Sequence, residues 1–151
     1  MSLRFPYRQF PTIRPVVALA GRMQRPRPII AVAIIGPAGT VSLDAMIDTG
    51  AGDTVFPEHV AASIGVDLMN APVGMSSGVA TRVVSVRYAE VMLRIADSHE
   101  QREWKTWVGF IPGSFRRPLL GFAGFLQYFT ATFHGDREEV ELAINGLYPG
   151  T

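Results

Sequence analysis

A chain of 151 residues has the length of one domain and is long enough to bury a single core. Its 48% apolar and 18% charged residues fit a soluble globular protein better than a disordered one, and the absence of cysteine excludes disulfides, thiol catalysis and thiolate metal sites. The net charge of +1 conceals an asymmetry: residues 1–43 carry Arg4, Arg8, Arg14, Arg22, Arg25 and Arg27 and no acid, so the remainder is net acidic.

Residues 1–28 read as a basic, Pro/Arg-rich N-terminal arm, solvated and partly ordered, though such an arm can also grip phosphates or an acidic surface. Pro6, Pro11, Pro15 and Arg14 interrupt any secretory apolar region, and the longest apolar runs, 16–20 and 29–35, fall far short of the roughly 20 residues of a spanning helix. No membrane partner and a cytoplasmic location are therefore expected. The run 29–35 (IIAVAII) predicts a buried strand, 36–39 (GPAG) a turn, and 40–47 the returning strand of a hairpin. Next, 57–65 has proline near its start, an early acid and a closing glycine, the marks of a short helix. The small-residue stretch 73–82 followed by the β-branched run 83–95 predicts an extended hairpin with a glycine-bearing tip. A strand is expected over 104–111, a turn at 112–114, an apolar segment 118–121 stopped by glycine, and a short helix over 122–128. A last hairpin joins 129–133 to 140–144, and 146–151 form a C-terminal tail expected to fray.

The stretch 45–57, AMIDTGAGDTVFP, ends a strand in an acid, a hydroxyl and glycines, where the chain leaves the sheet. Two carboxyl groups holding a water between them, one ionised as base and one protonated as acid, hydrolyse amides without metal or thiol. Asp48 needs such a partner. Asp44 shares its strand and face, but four residues at about 3.3 Å each place it roughly 13 Å away. Asp53 lies past the loop and suits backbone or substrate contact, or turn and helix-capping duty. The remaining source is Asp48 of a second copy across a two-fold axis, with Thr49 locking the two loops through its hydroxyl and Gly50 admitting a substrate backbone.

This segment resembles the active-site segment of the retropepsin-like aspartic proteases, homodimeric single-domain relatives of pepsin. The hairpin over 73–95 resembles their flap, with Met75, Ser76, Ser77, Gly78, Val79, Ala80 and Thr81 at its tip. Leu119-Leu120-Gly121 followed by Phe125-Leu126 resembles the second signature, and the closing hairpin 129–144 is similar to that of cellular and bacterial members. The resemblance spans roughly residues 29–145 and implies a mostly β, single-domain, closed barrel-like fold with a flap and one or two short helices. It implies Asp48 as catalytic acid, Thr49 as locking hydroxyl and Gly50 as backbone contact, with Ala51, Asp53, Met75, Ser77, Gly78 and Val79 binding a peptide or protein substrate. It implies no cofactor and no metal. Two positions depart from the pattern: Gly52 stands where many viral members carry an acid, and residues 122–124 (FAG) replace a charged or polar helix start.

The expectation is an aspartic endopeptidase, most active on the acid side of neutral because the pair shares one proton. The alternative is a dimeric peptide-binding or assembly module of the same fold, motivated by those departures. Nucleic-acid binding through the arm is the least favoured reading. Met75 and Val79 serve equally as flap anchors or as exposed apolar contacts between copies. Trp104 and Trp107 fall on opposite faces of one strand, with core packing expected for at least one. His59, His99 and His134 lack ligand spacing, and the Arg116-Arg117 pair reads as a solvated turn rather than a phosphate clamp.

Overall fold

The computed structural model describes residues 1–77, 83–113 and 117–150. It is mostly β. In chain order the strands are β1 (Ser2–Pro6), β2 (Arg8–Val16), β3 (Arg22–Arg27), β4 (Ile29–Gly36), β5 (Gly39–Ile47), β6 (Val55–Pro57), β7 (Val73–Ser77), β8 (Val83–Ala96), β9 (Gln101–Ile111), β10 (Leu119–Leu120), β11 (Phe129–His134) and β12 (Glu139–Ile144). A single α-helix among the described residues, α1 (Glu58–Ser63), buries Val60 and Ala61.

Six strands close into a barrel. The order β4-β5-β10-β6-β9-β8 is completed by antiparallel pairing of β8 with β4, where Ile34 faces Leu93. Strand alternation decides what fills it. On β4, Ile30, Val32 and Ile34 enter the core; on β5, Ala45 and Ile47 do, which turns Asp44 and Met46 to the outer face. Leu93 and Ile95 of β8 and Trp104, Val108 and Phe110 of β9 complete that core. The β7 strand extends the sheet beyond the barrel along β8, with Met75 opposite Ser85; the expected flap tip, 78–81, lies outside the described residues.

Trp104 organises one end of the core. Its indole N–H donates to the Gly124 carbonyl at 3.1 Å, and its ring lies 5.3 Å from Phe129 and 5.8 Å from Phe125. Tyr148 closes the cluster, its ring 6.0 Å from Trp104 and its hydroxyl donating to the Glu103 carbonyl at 3.0 Å, so the chain after β12 is packed down at this point. Trp107, on the opposite face, is exposed.

The expected helix over 122–128 is corrected to a single 3-10 turn, Leu126–Tyr128. The amides of Phe122 and Ala123 are already committed to the carbonyls of Ala51 and Gly52, and Gly124 sits at φ +92°, outside the helical region. Local composition favoured a helix, and contact with the 48–54 loop overrode it.

The basic N-terminal residues take two forms. β1 joins β12 and β11 in a three-stranded sheet with Leu3 opposite Leu142 and Phe5 opposite Val140, all four buried. β2 and β3 form a separate two-stranded ribbon. Glu138, in the turn between β11 and β12, ties the ribbon down: Arg22 pairs with its carboxylate at 2.9 Å and its carbonyl accepts the Tyr7 amide at 2.7 Å. The Arg22 hydrogen bonds hold the Glu138 carboxyl below the usual carboxylate range.

Candidate active site

Asp48 follows the last residue of β5, where an apolar strand leaves the barrel. Its backbone amide donates to the Leu120 carbonyl at 3.0 Å, which fixes the start of the loop against β10. Its carboxylate Oδ1 accepts the Gly50 amide at 2.8 Å, and its carbonyl accepts the Ala51 amide at 3.2 Å. The acid thus has a defined orientation from backbone donors, while remaining only half-buried.

The 48–54 loop is laced to residues 121–123. Phe122 and Ala123 donate to the Ala51 and Gly52 carbonyls, each at 2.9 Å, and Thr54 donates back to the Ala123 carbonyl at 3.0 Å. The buried Thr54 hydroxyl accepts the Gly121 amide at 3.2 Å. Gly121 has no room for a side chain: a Cβ there would stand 2.2 Å from the Asp53 carbonyl oxygen. The apolar pair and glycine at 119–121 therefore act as a brace behind the acid. Sequence reasoning gave Thr54 no role, although the hydroxyl that ends the run DTGAGDT is the one that closes the brace.

Among the described residues, neither neighbouring acid converges on Asp48. Asp44 pairs with Arg8 at 2.6 Å. Asp53 accepts the Tyr88 hydroxyl at 2.8 Å, joining the loop to β8. Partial burial, and then the hydrogen bond to and charge of Asp53, push the Tyr88 hydroxyl up to about 12. Tyr88 was not anticipated, because nothing in the sequence links β8 to an acid 35 residues earlier.

Thr49 and Gly50 are exposed, and the Thr49 hydroxyl makes no hydrogen bond to the described residues of its own chain. Ala51 is half-buried, and Met75 is 67% exposed on β7. Ser77 ends β7, whereas Gly78 and Val79 lie outside the described residues. An open recess of about 400 Å³ lies beside Asp48 and Thr49, walled by Tyr7, Pro28, Met46 and Phe133. No three His, Asp or Glu side chains converge as a metal cluster among the described residues. His134 instead sits 3.1 Å from Glu141. No described helix is long and apolar enough to cross a membrane.

No family model matches the sequence, and no curated protein matches it. Solved structures do. A retropepsin-like aspartic protease from Rickettsia conorii superposes with a TM-score of 0.53 at 17% identity, covering 94% of this chain and 90% of that one. The retroviral protease-like domain of Ddi1 from Leishmania major superposes with a TM-score of 0.51 at 13% identity, covering 83% of this chain and 94% of that domain. At these identities the likeness is one of fold.

Proposed function

We propose that this chain, whose fold is that of the retropepsin-like aspartic proteases, is an aspartic endopeptidase that works as a homodimer. The observation that carries the proposal is Asp48 itself: a carboxylate oriented by backbone donors at the end of a barrel strand, with the nearby acids occupied by Arg8 and Tyr88. The second carboxylate then has to come from a second copy. Thr49 is open for that contact, and Phe122, whose amide holds the Ala51 carbonyl, leaves 61% of its surface uncovered next to the loop.

In the dimer one Asp48 carboxylate takes a proton from water as its oxygen attacks the scissile carbonyl carbon, and the protonated Asp48 gives its proton to the carbonyl oxygen. The resulting diol collapses as the C–N bond breaks and a proton passes to the leaving nitrogen. No covalent intermediate forms. The substrate lies extended between the loops and the flap arms, held by main-chain hydrogen bonds along their edges. One shared proton places the activity on the acid side of neutral, and a cytoplasmic setting accords with the sequence reading.

The test is cleavage of a diverse peptide mixture between about pH 4 and 7, where a carboxyl pair titrates, comparing native protein with Asp48→Asn. Cuts made by the native chain and lost in the variant support the reading. A protein that sediments as a monomer over the whole concentration range sinks any two-Asp mechanism.

A second reading keeps the dimer and groove but only holds a peptide. It is favoured by Gly52 and Ala123, which meet through backbone alone and give the loop no ion pair. Binding of peptides by a dimer that cuts none of them would select it.

A further inference from the structure

We infer that Arg25, Arg27 and Arg117 form a cationic subsite along the outer face of the strand that leads to Asp48, and that it takes an acidic side chain of a peptide substrate. The inference deepens the protease reading and rests on it for the identity of the groove. On the β2–β3 ribbon Arg8 stands opposite Arg27 and Phe10 opposite Arg25, so all four project from one face. That face turns toward the outer face of β5, because Arg8 reaches Asp44 there. Arg117 arrives from the other side, and its guanidinium sits 4.9 Å from the centre of the Phe10 ring, with that of Arg27 at 5.9 Å. Together with Pro11 and Thr12 these residues enclose a pocket of about 240 Å³, room for one side chain.

Its position ties the pocket to the acid. β5 runs into Asp48 between two prolines: the Pro28 carbonyl accepts the Ile47 amide and the Pro118 carbonyl accepts the Met46 amide, each at 2.9 Å. Arg27 and Arg117 are the residues immediately before those prolines. They therefore flank the strand on both edges, Arg27 level with Asp48 on the β4 side and Arg117 level with Asp44 on the β10 side.

The charge is unspent. Arg8 is neutralised by Asp44 and Arg22 by Glu138, but Arg25, Arg27 and Arg117 meet no carboxylate among the described residues. Cation–π contact with Phe10 restrains two of the guanidiniums, so less side-chain entropy is lost when a carboxylate arrives. A planar carboxylate suits a guanidinium fork, and a single acidic side chain fits the enclosed volume. A long polyanion fits less well, since Asp44 lies on that strand and Asp48 at its end.

The experiment uses paired peptides that differ only by Glu against Gln, with the pair scanned through the three positions on each side of the cut. Native protein should favour Glu at one position about five- to tenfold in kcat/KM, the scale of two or three partly exposed ion pairs, and the preference should shrink at high salt. Arg27→Gln/Arg117→Gln should bring the Glu-to-Gln ratio to about one, whereas Arg14→Gln, on the same ribbon outside the pocket, should leave the ratio as it is in native protein. Cleavage with a ratio near one at every position overturns the subsite and spares the protease reading. If nothing is cut, the same peptides are titrated against native protein by fluorescence anisotropy. A Glu preference in binding then sustains the subsite without the protease, and equal or undetectable binding overturns it. Tighter binding of a single-stranded oligonucleotide than of the Glu peptide also overturns it, because the arginines would then read a phosphate chain.

Discussion

Replacing Gly121 with alanine puts a methyl group where the fold has no space. Its Cβ would stand 2.2 Å from the Asp53 carbonyl oxygen, 2.6 Å from that of Ala51 and 2.8 Å from the Asp53 carbonyl carbon. All three are backbone atoms of the loop that carries Asp48, so no side chain can swing away. Reaching 3.4 Å, the start of ordinary contact, moves the loop by about 1.2 Å and strains the bonds from Phe122 to Ala51 and from Ala123 to Gly52. Overpacking of this kind costs about 3 kcal/mol, the upper end of its usual range, because the obstructing atoms are main chain. In a domain of this size each kcal/mol moves Tm by about 2–4 °C, so Gly121→Ala should melt about 6–12 °C below native protein at the same concentration. Gly52→Ala is the matched control. A Cβ there meets nothing within 4 Å, and its melting point should stay close to native. Scanning calorimetry reads both, and amide chemical shifts of Asp48 and Ala51 report whether the loop has moved. A Gly121→Ala protein that melts within about 2 °C of native and keeps those shifts would refute the brace, since that is under 1 kcal/mol at this size.

Thr54→Val leaves the Gly121 amide buried without its acceptor and should cost about 1–3 kcal/mol by urea titration, while Thr54→Ser restores most of it. Ultraviolet titration should find one tyrosine ionising near pH 12 that Tyr88→Phe removes. Because the folded Tyr88 value lies above the unfolded 10.0, its contribution to stability is whole below pH 10.0 and declines as pH rises toward about 12. Asp97 answers to acid instead. Burial raises its carboxyl, but this is outweighed by backbone amides of His99, Arg4 and Glu100, leaving it below the 3.8 of a free aspartate. Its stabilisation is therefore present above pH 3.8 and lost as pH falls through the lower folded value. Asp97→Asn should be about 1–2 kcal/mol less stable at pH 7, with the gap closing as pH falls below the ordinary carboxylate range; a gap that persists in acid refutes the assignment.

Much of the candidate site was legible because it is local. The alternation in AMIDTGAG decides that Ala45 and Ile47 face inward and that Met46 faces out, and the turn residues after Ile47 decide where the acid leaves the sheet. The hairpin signals at 36–39 and 134–137 worked for the same reason, since a strand pair and its turn are encoded within a few residues. The helix over 122–128 failed where locality fails: its amides serve carbonyls some seventy residues earlier in the chain.

From residue 29 onward the residues alone mark most of the strands, their turns and the single Asp-Thr-Gly, because period and turn chemistry act over short spans, whereas the three strands within 1–28 were hidden by their prolines and arginines. Only the tertiary structure decided that β8 returns to β4 to close the barrel, that Tyr88 holds Asp53, and that arginines 90 residues apart meet across one phenylalanine ring. Those pairings depend on strand order, and strand order follows from which arrangement buries all the apolar faces at once rather than from any one segment.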